Sequence, residues 1–392
     1  MRCAQRPTQA RKHQAGSIEI AYIELIVGVA LVAVVLFDVF ETIVVPRRTD
    51  HPLRLGPYIL IFLWPVWRRI GFRIHPTWRR EDFLGTFAPF IIVMLLVAWV
   101  LALILGFGLI LHTMADETRP PLASFFTALY AAGTSFFTIG FGDYVPLSAP
   151  ARVVMLLAGA SGMALVALVI SLAFNLYSSF ARREVLVLML NSRAGAPPSG
   201  VMLLETFGRN RCVDELAATF AQFELWTAEV LDSHLAYPIL PYFRSSHDTQ
   251  SWVSALGAVI DAATLLMTVV DEDFVDAPKG LRKCRAAAEF MHSLGCHALE
   301  DLTQSRLVRR HLKQLGQQPG IERAEFETAC HRLREAGYRA VASDESWAEF
   351  SQLRSAYAER LNLLARYFSS PPTQWIGDRT FISHHYVSHS KV

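Results

Sequence analysis

Charge is what this chain has least of. Only 18% of its 392 residues are Asp, Glu, Lys or Arg, against roughly 25% in an average soluble protein. The formal net charge is +2, so no overall field draws the chain to nucleic acid. Cysteine is scarce as well. Cys3, Cys212, Cys284, Cys296 and Cys330 are odd in number and lack CxxC spacing, which excludes a disulfide scaffold. Disorder is excluded by an apolar fraction of 52%, which leaves ample surface to bury. What remains is a membrane protein, or a soluble one with an unusually apolar half.

The apolar residues gather in the first half. Phe83 to Leu111 contains no charged residue; as a helix it would measure about 43 Å, more than the ~30 Å hydrocarbon core requires. Pro89 lies near its start, where a helix tolerates proline best. Ala151 to Phe180 is a second span, without charge between Arg152 and Arg182. Its Gly159, Ala160, Ser161, Gly162 and Ala164 allow close helix approach in lipid. Ile18 to Val45 is a third, wholly apolar from Leu25 to Phe37. It is expected to stay as a span and not be cleaved as a leader. Asp38, near its end, is expected to reach water or an arginine of the following loop. Tyr58 to Trp67 is too short to cross and reads as an interfacial segment with tryptophan anchors.

Basic residues set the orientation. Residues 46–82 carry Arg47, Arg48, Arg54, Arg68, Arg69, Arg73, Arg79 and Arg80 against Asp50, Glu81 and Asp82. The positive-inside rule places this loop in the cytoplasm and residues 112–120 outside, with the N-terminal tail 1–17 outside as well. Binding of anionic lipid headgroups is a second use for these arginines. No span carries the regularly spaced arginines of a voltage sensor.

Residues 120–150 fit neither pattern. Ala123–Phe137, preceded by Pro120 and Pro121, predicts a helix of roughly 22 Å, able to enter a bilayer but not to cross it. Thr138-Ile139-Gly140-Phe141-Gly142-Asp143 follows. The connection must begin and end on the same outer face, so a short helix dips in and an extended strand climbs out. Non-helical backbone at membrane depth survives only where it lines water or is buried in protein. Glycine at alternate positions opens backbone angles closed to L-residues. The strand's carbonyls can then face one side while Ile139 and Phe141 pack to the other, and Thr138 adds a hydroxyl at the inner mouth. Four such strands around one axis would stack rings of oxygen that replace the hydration shell of a monovalent cation.

The run TIGFGD resembles the potassium-channel selectivity filter. The plan of outer helix, re-entrant pore helix, filter and inner helix over residues 83–181, about a quarter of the chain, is similar to the pore domain of that family. The Ile/Phe variant looks like filters of two-pore-domain channels, which carry two filters per chain. A second T-x-G-[FY]-G is absent here, so the resemblance implies a homotetramer. It further implies passive potassium conduction, with no catalytic residue and no cofactor beyond permeant potassium. The ion would be held by carbonyls of Thr138, Ile139, Gly140 and Phe141, with Gly142 completing the filter. Asp143 would cap the outer mouth. Thr134 stands where several family members place a bracing carboxylate, and Gly162 where they have a gating hinge. Close helix packing is the other reading of Gly162. Phe137 departs from the Thr or Ala common before the filter.

Three other readings compete with this one. A soluble nucleotide-binding glycine turn needs a preceding strand and a third glycine, and both are missing. Gly140-Phe141-Gly142-Asp143 also matches the GxGD signature of intramembrane aspartyl proteases, with Asp38 as second carboxylate. Such a pair must share one depth, whereas Asp143 is expected near the outer face and Asp38 near the inner. A non-conducting receptor or scaffold would leave T-x-G-x-G-D unexplained.

The expected fold is therefore an all-α membrane protein. A transmembrane helix (18–45) and the basic loop (46–82) precede the outer helix (83–111), pore helix (123–137), filter (138–143) and inner helix (151–181). A helix extension and linker (182–200) leads to an all-α cytoplasmic domain (201–392), which would tune gating in response to an unidentified ligand. Val213, Leu216, Phe220, Phe223 and Val230 share one helical face, as do Trp347, Phe350, Leu353, Tyr357, Leu361, Leu364 and Phe368. His292, Cys296 and His297 form the densest metal-like cluster but read first as ordinary core and surface residues. His384, His385 and His389 lie in a polar tail. The cell's plasma membrane is the expected location.

Overall fold

In the computed structural model, the described residues are 8–45, 55–245, 249–271, 280–304, 321–371, 373 and 375. Arg47, Arg48, Arg54, His384, His385, His389 and the first seven residues of the N-terminal tail lie outside them. Two units emerge. One holds the described residues up to Ile59 together with Pro89–Asn175; the other holds Leu60–Ala88 and the described residues from Leu176 onward.

The first unit is built on long apolar helices. Helix α1 (Thr8–Ile43) packs on α4 (Phe87–His112) at a glycine crossing. A Cβ on Gly28 would sit 2.8 Å from the Gly106 carbonyl oxygen, so only glycine permits the approach. Lower on the same seam Asp38 is almost wholly buried. Its carboxylate accepts from Trp99 Nε1 at 2.7 Å and from the Leu55 backbone N–H at 3.1 Å. A buried carboxylate needs donors, and Trp99 supplies one across the helix pair; the expected arginines of the following loop, Arg47, Arg48 and Arg54, lie outside the described residues. Leu103, Phe107, Leu111, Ala128, Ala132, Phe136 and Leu165 continue the core. Three segments here are long and apolar enough to cross a membrane, Glu19–Ile43, Thr77–His112 and Ala149–Ala194. This is an integral membrane protein.

Helix boundaries depart from the sequence pattern in two places. The outer helix, expected from residue 83, is divided: α3 (Thr77–Gly85) ends at Thr86 before α4 begins. Pro89 lacks an N–H and its ring opposes the carbonyl four residues earlier, that of Gly85, which accounts for the break. The basic loop 46–82 contains helix α2 (Leu55–Gly71) besides most of α3. The inner helix α6 (Ala149–Ala194) runs through the expected helix extension and ends just inside the linker that follows it. It stops where Gly195 takes φ +84°, the left-handed conformation that commonly terminates helices.

The second unit is all helical apart from short turns and an isolated bridge. Its elements include α7 (Gly200–Arg209), α8 (Leu216–Ala236), α9 (Trp252–Val269), α10 (Leu281–Thr303), α11 (Arg323–Glu335) and α12 (Asp344–Tyr367). By length and composition α9 could also cross a membrane, yet it is 89% buried, enclosed by α7, α8, α10 and α12. It is a core helix. Its Asp261 is buried and satisfied by Arg354 Nε at 3.2 Å and the Tyr357 hydroxyl at 2.6 Å. Trp64, expected as a membrane-interface anchor, is instead buried; its Nε1 donates to the Tyr367 carbonyl at 3.0 Å. Arg68 donates to the Arg366 and Tyr367 carbonyls, and Arg80 pairs with Glu81. Trp67 stacks on Phe83.

Within this unit Arg183 on α6 is buried. It donates to the carbonyls of Leu240 (3.2 Å) and Phe243 (2.7 Å) and meets His234 Nε2 at 3.3 Å. Trp226 Nε1 closes the joint on the Arg183 carbonyl. Burial, reinforced by the neighbouring guanidinium, holds the His234 imidazole well below the ordinary histidine pKa. Unfolded chain takes up that proton near pH ~6.5 and the folded state does not, so stability falls as pH drops below that value towards the folded pKa. Thermal melts at about pH 7.5 and about pH 5.5 are expected to differ less for His234→Gln than for the wild-type chain.

Candidate functional site

The pore segment is closed at its base by a two-stranded clasp. Strand β1 (Thr118–Arg119) pairs antiparallel with β2 (Val145–Pro146). The Leu147 N–H adds a bond to the Glu117 carbonyl at 2.8 Å, and the Ser148 hydroxyl donates to the Glu117 carboxylate. Entry and exit of the segment are therefore tied together, and whatever enters between them must return.

What enters is α5 (Phe125–Phe136). Ser124 begins it as an N-cap, accepting from the Thr127 N–H at 3.3 Å. It ends at Phe137, before the filter sequence. The negative end of its dipole thus lies at the start of that sequence, where it favours a cation. Gly108 on α4 leaves room for Leu129 against it.

Beyond α5 the backbone alternates in hand. Thr138 has φ +56°, Gly140 φ +58° and Gly142 φ +79°, while Ile139 and Phe141 between them are not among the positive-φ residues. Alternating left- and right-handed angles turn successive carbonyls towards one side of a strand. Gly140 and Gly142 take such angles freely. Thr138, β-branched, does so against its preference, with its hydroxyl donating to the Phe137 carbonyl at 2.7 Å. The glycine pattern foretells two of the three left-handed positions, and nothing in the sequence signals the third.

Local bonds hold the run. The Ile139 N–H donates to the Thr134 carbonyl at 2.9 Å and the Thr138 N–H to the Ser135 carbonyl at 3.0 Å. Thr134 therefore braces the strand through its main chain; its hydroxyl turns back to Ala131. At the far end the Tyr130 hydroxyl lies within electrostatic reach of the Asp143 carboxylate, and the Tyr130 and Tyr144 rings meet edge-on at 6.1 Å. Tyr130 was not singled out in the sequence, because its partner lies beyond the end of its own helix.

Gly162 lies opposite the end of α5. A Cβ there would collide with the Phe136 carbonyl oxygen, and one on Gly159 would sit 3.2 Å from that of Ser135. Helix α6 runs without interruption through Gly162. Close packing against α5 is one role of this glycine.

In a single chain the strand is uncovered. Ile139 is 52% and Phe141 68% exposed, and nothing lies within 4 Å of a Cβ built on Gly140 or Gly142. The protease reading finds no dyad in these contacts: Asp143 lies beside Tyr130, while Asp38 accepts from Trp99 and Leu55. The metal-like trio separates too. Cys296 Sγ lies 3.8 Å from His292 Nε2, His292 faces the edge of Tyr357, and His297 turns to Asp301. Burial raises the Cys296 thiol pKa to about 11, and among the described residues no group of three potential ligands could hold a metal.

Residues 93–179 match the family model described as ion channel. By this match the segment is similar to ion-channel domains. The match takes in the end of α4, the clasp, α5, the alternating strand and α6 as far as Ser179. No curated protein matches the chain, and no solved structure does.

The packing of this segment makes Gly162→Ala a sharp test. Its methyl group must displace the last carbonyl of α5, so the variant is expected to lose thermal stability by about 1–3 kcal/mol, the usual range for overpacking. Gly159→Ala, with more room, is expected to lose less. Melting of both purified variants in detergent measures the difference.

Proposed function

We propose that the chain forms a potassium-selective channel of four copies, with the alternating strand as its ion-coordinating filter. The observation that carries the proposal is the alternation of hand at Thr138, Gly140 and Gly142 in a strand exposed on the single chain. Such backbone at membrane depth needs protein or water against it. Four copies around one axis meet the need in two ways. Neighbouring chains cover the Ile139 and Phe141 side chains, and the carbonyls of Thr138, Ile139, Gly140 and Phe141 form oxygen rings.

Dehydrating a cation is tolerable only where such rings replace its water. Potassium is the permeant ion to which the TIGFGD sequence points. Gly142 ends the filter, and Asp143, beside Tyr130, holds its outer mouth in place. Conduction is passive and involves no catalytic group. Arg68, Arg69, Arg73, Arg79 and Arg80 against Asp116 and Glu117 orient the second unit to the cytoplasm of a plasma membrane. Of these arginines, Arg69, Arg73 and Arg79 remain for anionic headgroups. Helix α6 passes from the pore into the cytoplasmic unit, where Arg183 anchors it to the turn at residues 240–243. Movement of that unit acts on the pore through this helix.

Potassium flux from liposomes holding the purified protein tests the proposal. Wild-type protein is expected to release potassium far faster than sodium, with block by barium. Gly140→Ala is expected to insert and assemble normally yet give flux no greater than empty liposomes, because a Cβ disfavours φ +58°. Undiminished flux in that variant would refute the role given to the strand.

A further inference from the structure

Beside the Arg183 joint, within the second unit, lies a cavity of about 260 Å³. It is smaller than the roughly 300–1,000 Å³ pockets that take drug-sized molecules, so it suits a ligand of few heavy atoms. One wall is aromatic and continuous. Trp64 meets Tyr242 at 5.1 Å, Tyr242 meets Phe368 at 5.1 Å, and Phe368 meets Trp252 at 5.9 Å, and all four rings line the cavity.

The polar lining is unbalanced. Glu81 is bound by Arg244 and Arg80, and Arg244 also donates to the carbonyls of Phe368 and Ser369. That guanidinium is occupied. Asp82, also in the lining, has no cationic partner among the described residues. The Ser245 hydroxyl, on the same lining, is buried and without a hydrogen-bond partner among those residues. Aromatic faces, an uncompensated carboxylate and a spare hydroxyl together make the recognition chemistry of a small organic ammonium group.

The cavity is joined to α6. The turn Leu240–Tyr242 and the following Phe243 present Pro241, Tyr242 and Phe243 to the cavity and the Leu240 and Phe243 carbonyls to Arg183. Trp252 supplies a second route, because its ring meets His234 at 4.8 Å in a tilted contact, and His234 touches Arg183. A group wedged against Tyr242 and Trp252 presses on the residues that hold α6.

From this geometry we infer that the cavity binds a small organic ammonium group between its aromatic wall and Asp82, and that occupancy shifts the α6 anchor and so the pore. The regulatory half rests on the channel reading above; the binding half does not. A free amine and the headgroup of an ammonium-bearing lipid offer the same chemistry.

The test uses the full-length protein in detergent, titrated with choline and with ethanolamine while heat and tryptophan fluorescence are recorded. Saturable binding is expected, about tenfold weaker in Asp82→Asn, the factor that ~1.4 kcal/mol represents. Asp82 is exposed, so this change leaves the core intact, and Asp82→Glu is expected to restore binding. If neither free amine binds, nanodiscs of phosphatidylethanolamine against phosphatidylglycerol decide: an Asp82-dependent fluorescence change with the former alone assigns the site to lipid. Absence of binding in both formats, or binding indifferent to Asp82→Asn, overturns the assignment. Because binding is read without ion flow, it is independent of the Gly140→Ala result. In liposomes the bound amine is expected to change potassium flux in wild type and not in Asp82→Asn, and binding with unaltered flux overturns the regulatory half.

Discussion

Peptide groups that leave a helix inside a bilayer must find other partners, and in the proposed channel that constraint falls on residues 138–143. Each unsatisfied carbonyl or N–H in hydrocarbon costs several kcal/mol, so a strand there persists only if its surroundings are built for it. The N–H groups of Thr138 and Ile139 turn inward to α5. The alternation of hand from Thr138 to Gly142 is what the proposed common direction of the carbonyls requires. A channel reading follows because an ion is the partner that such oxygens can share without being consumed.

The rest of the first unit serves that strand. The clasp between β1 and β2 ties its two ends, Tyr130 stands beside Asp143 beyond it, and the small residues of α6 admit the carbonyl end of α5. None of these contacts is strong alone. They act by leaving the backbone few alternatives, as preorganised sites must. The Asp38–Trp99 bond joins α1 to α4 in the same manner, a polar link across apolar helices.

What the sequence disclosed depended on the range of the interaction involved. The spans were legible because hydropathy over some twenty residues is a local property, and the strand because glycine spacing speaks directly to backbone angle. Longer-range relations were not. Trp64 and Arg68 carry the signature of an interfacial segment, yet their donors are used by the carbonyls of Arg366 and Tyr367, some three hundred positions away in the chain. Tyr130 looked like one aromatic among many until Asp143 was found beside it. The stretch after Arg182 reads as a helix extension and then a linker, and the helix runs to Ala194, just before the glycine and prolines that start at Gly195. The apolar α9 shows the reverse hazard, since a core helix and a spanning helix are alike in composition and differ in what surrounds them.

The most direct measurement is a density map of the purified assembly in potassium, at a resolution that shows bound ions. It should reveal four chains about one axis and a column of ion density ringed by the carbonyl oxygens of Thr138, Ile139, Gly140 and Phe141, altered when sodium replaces potassium. Carbonyls turned away from any common axis, or residues 138–143 wound into a helix continuous with α5, would contradict the account.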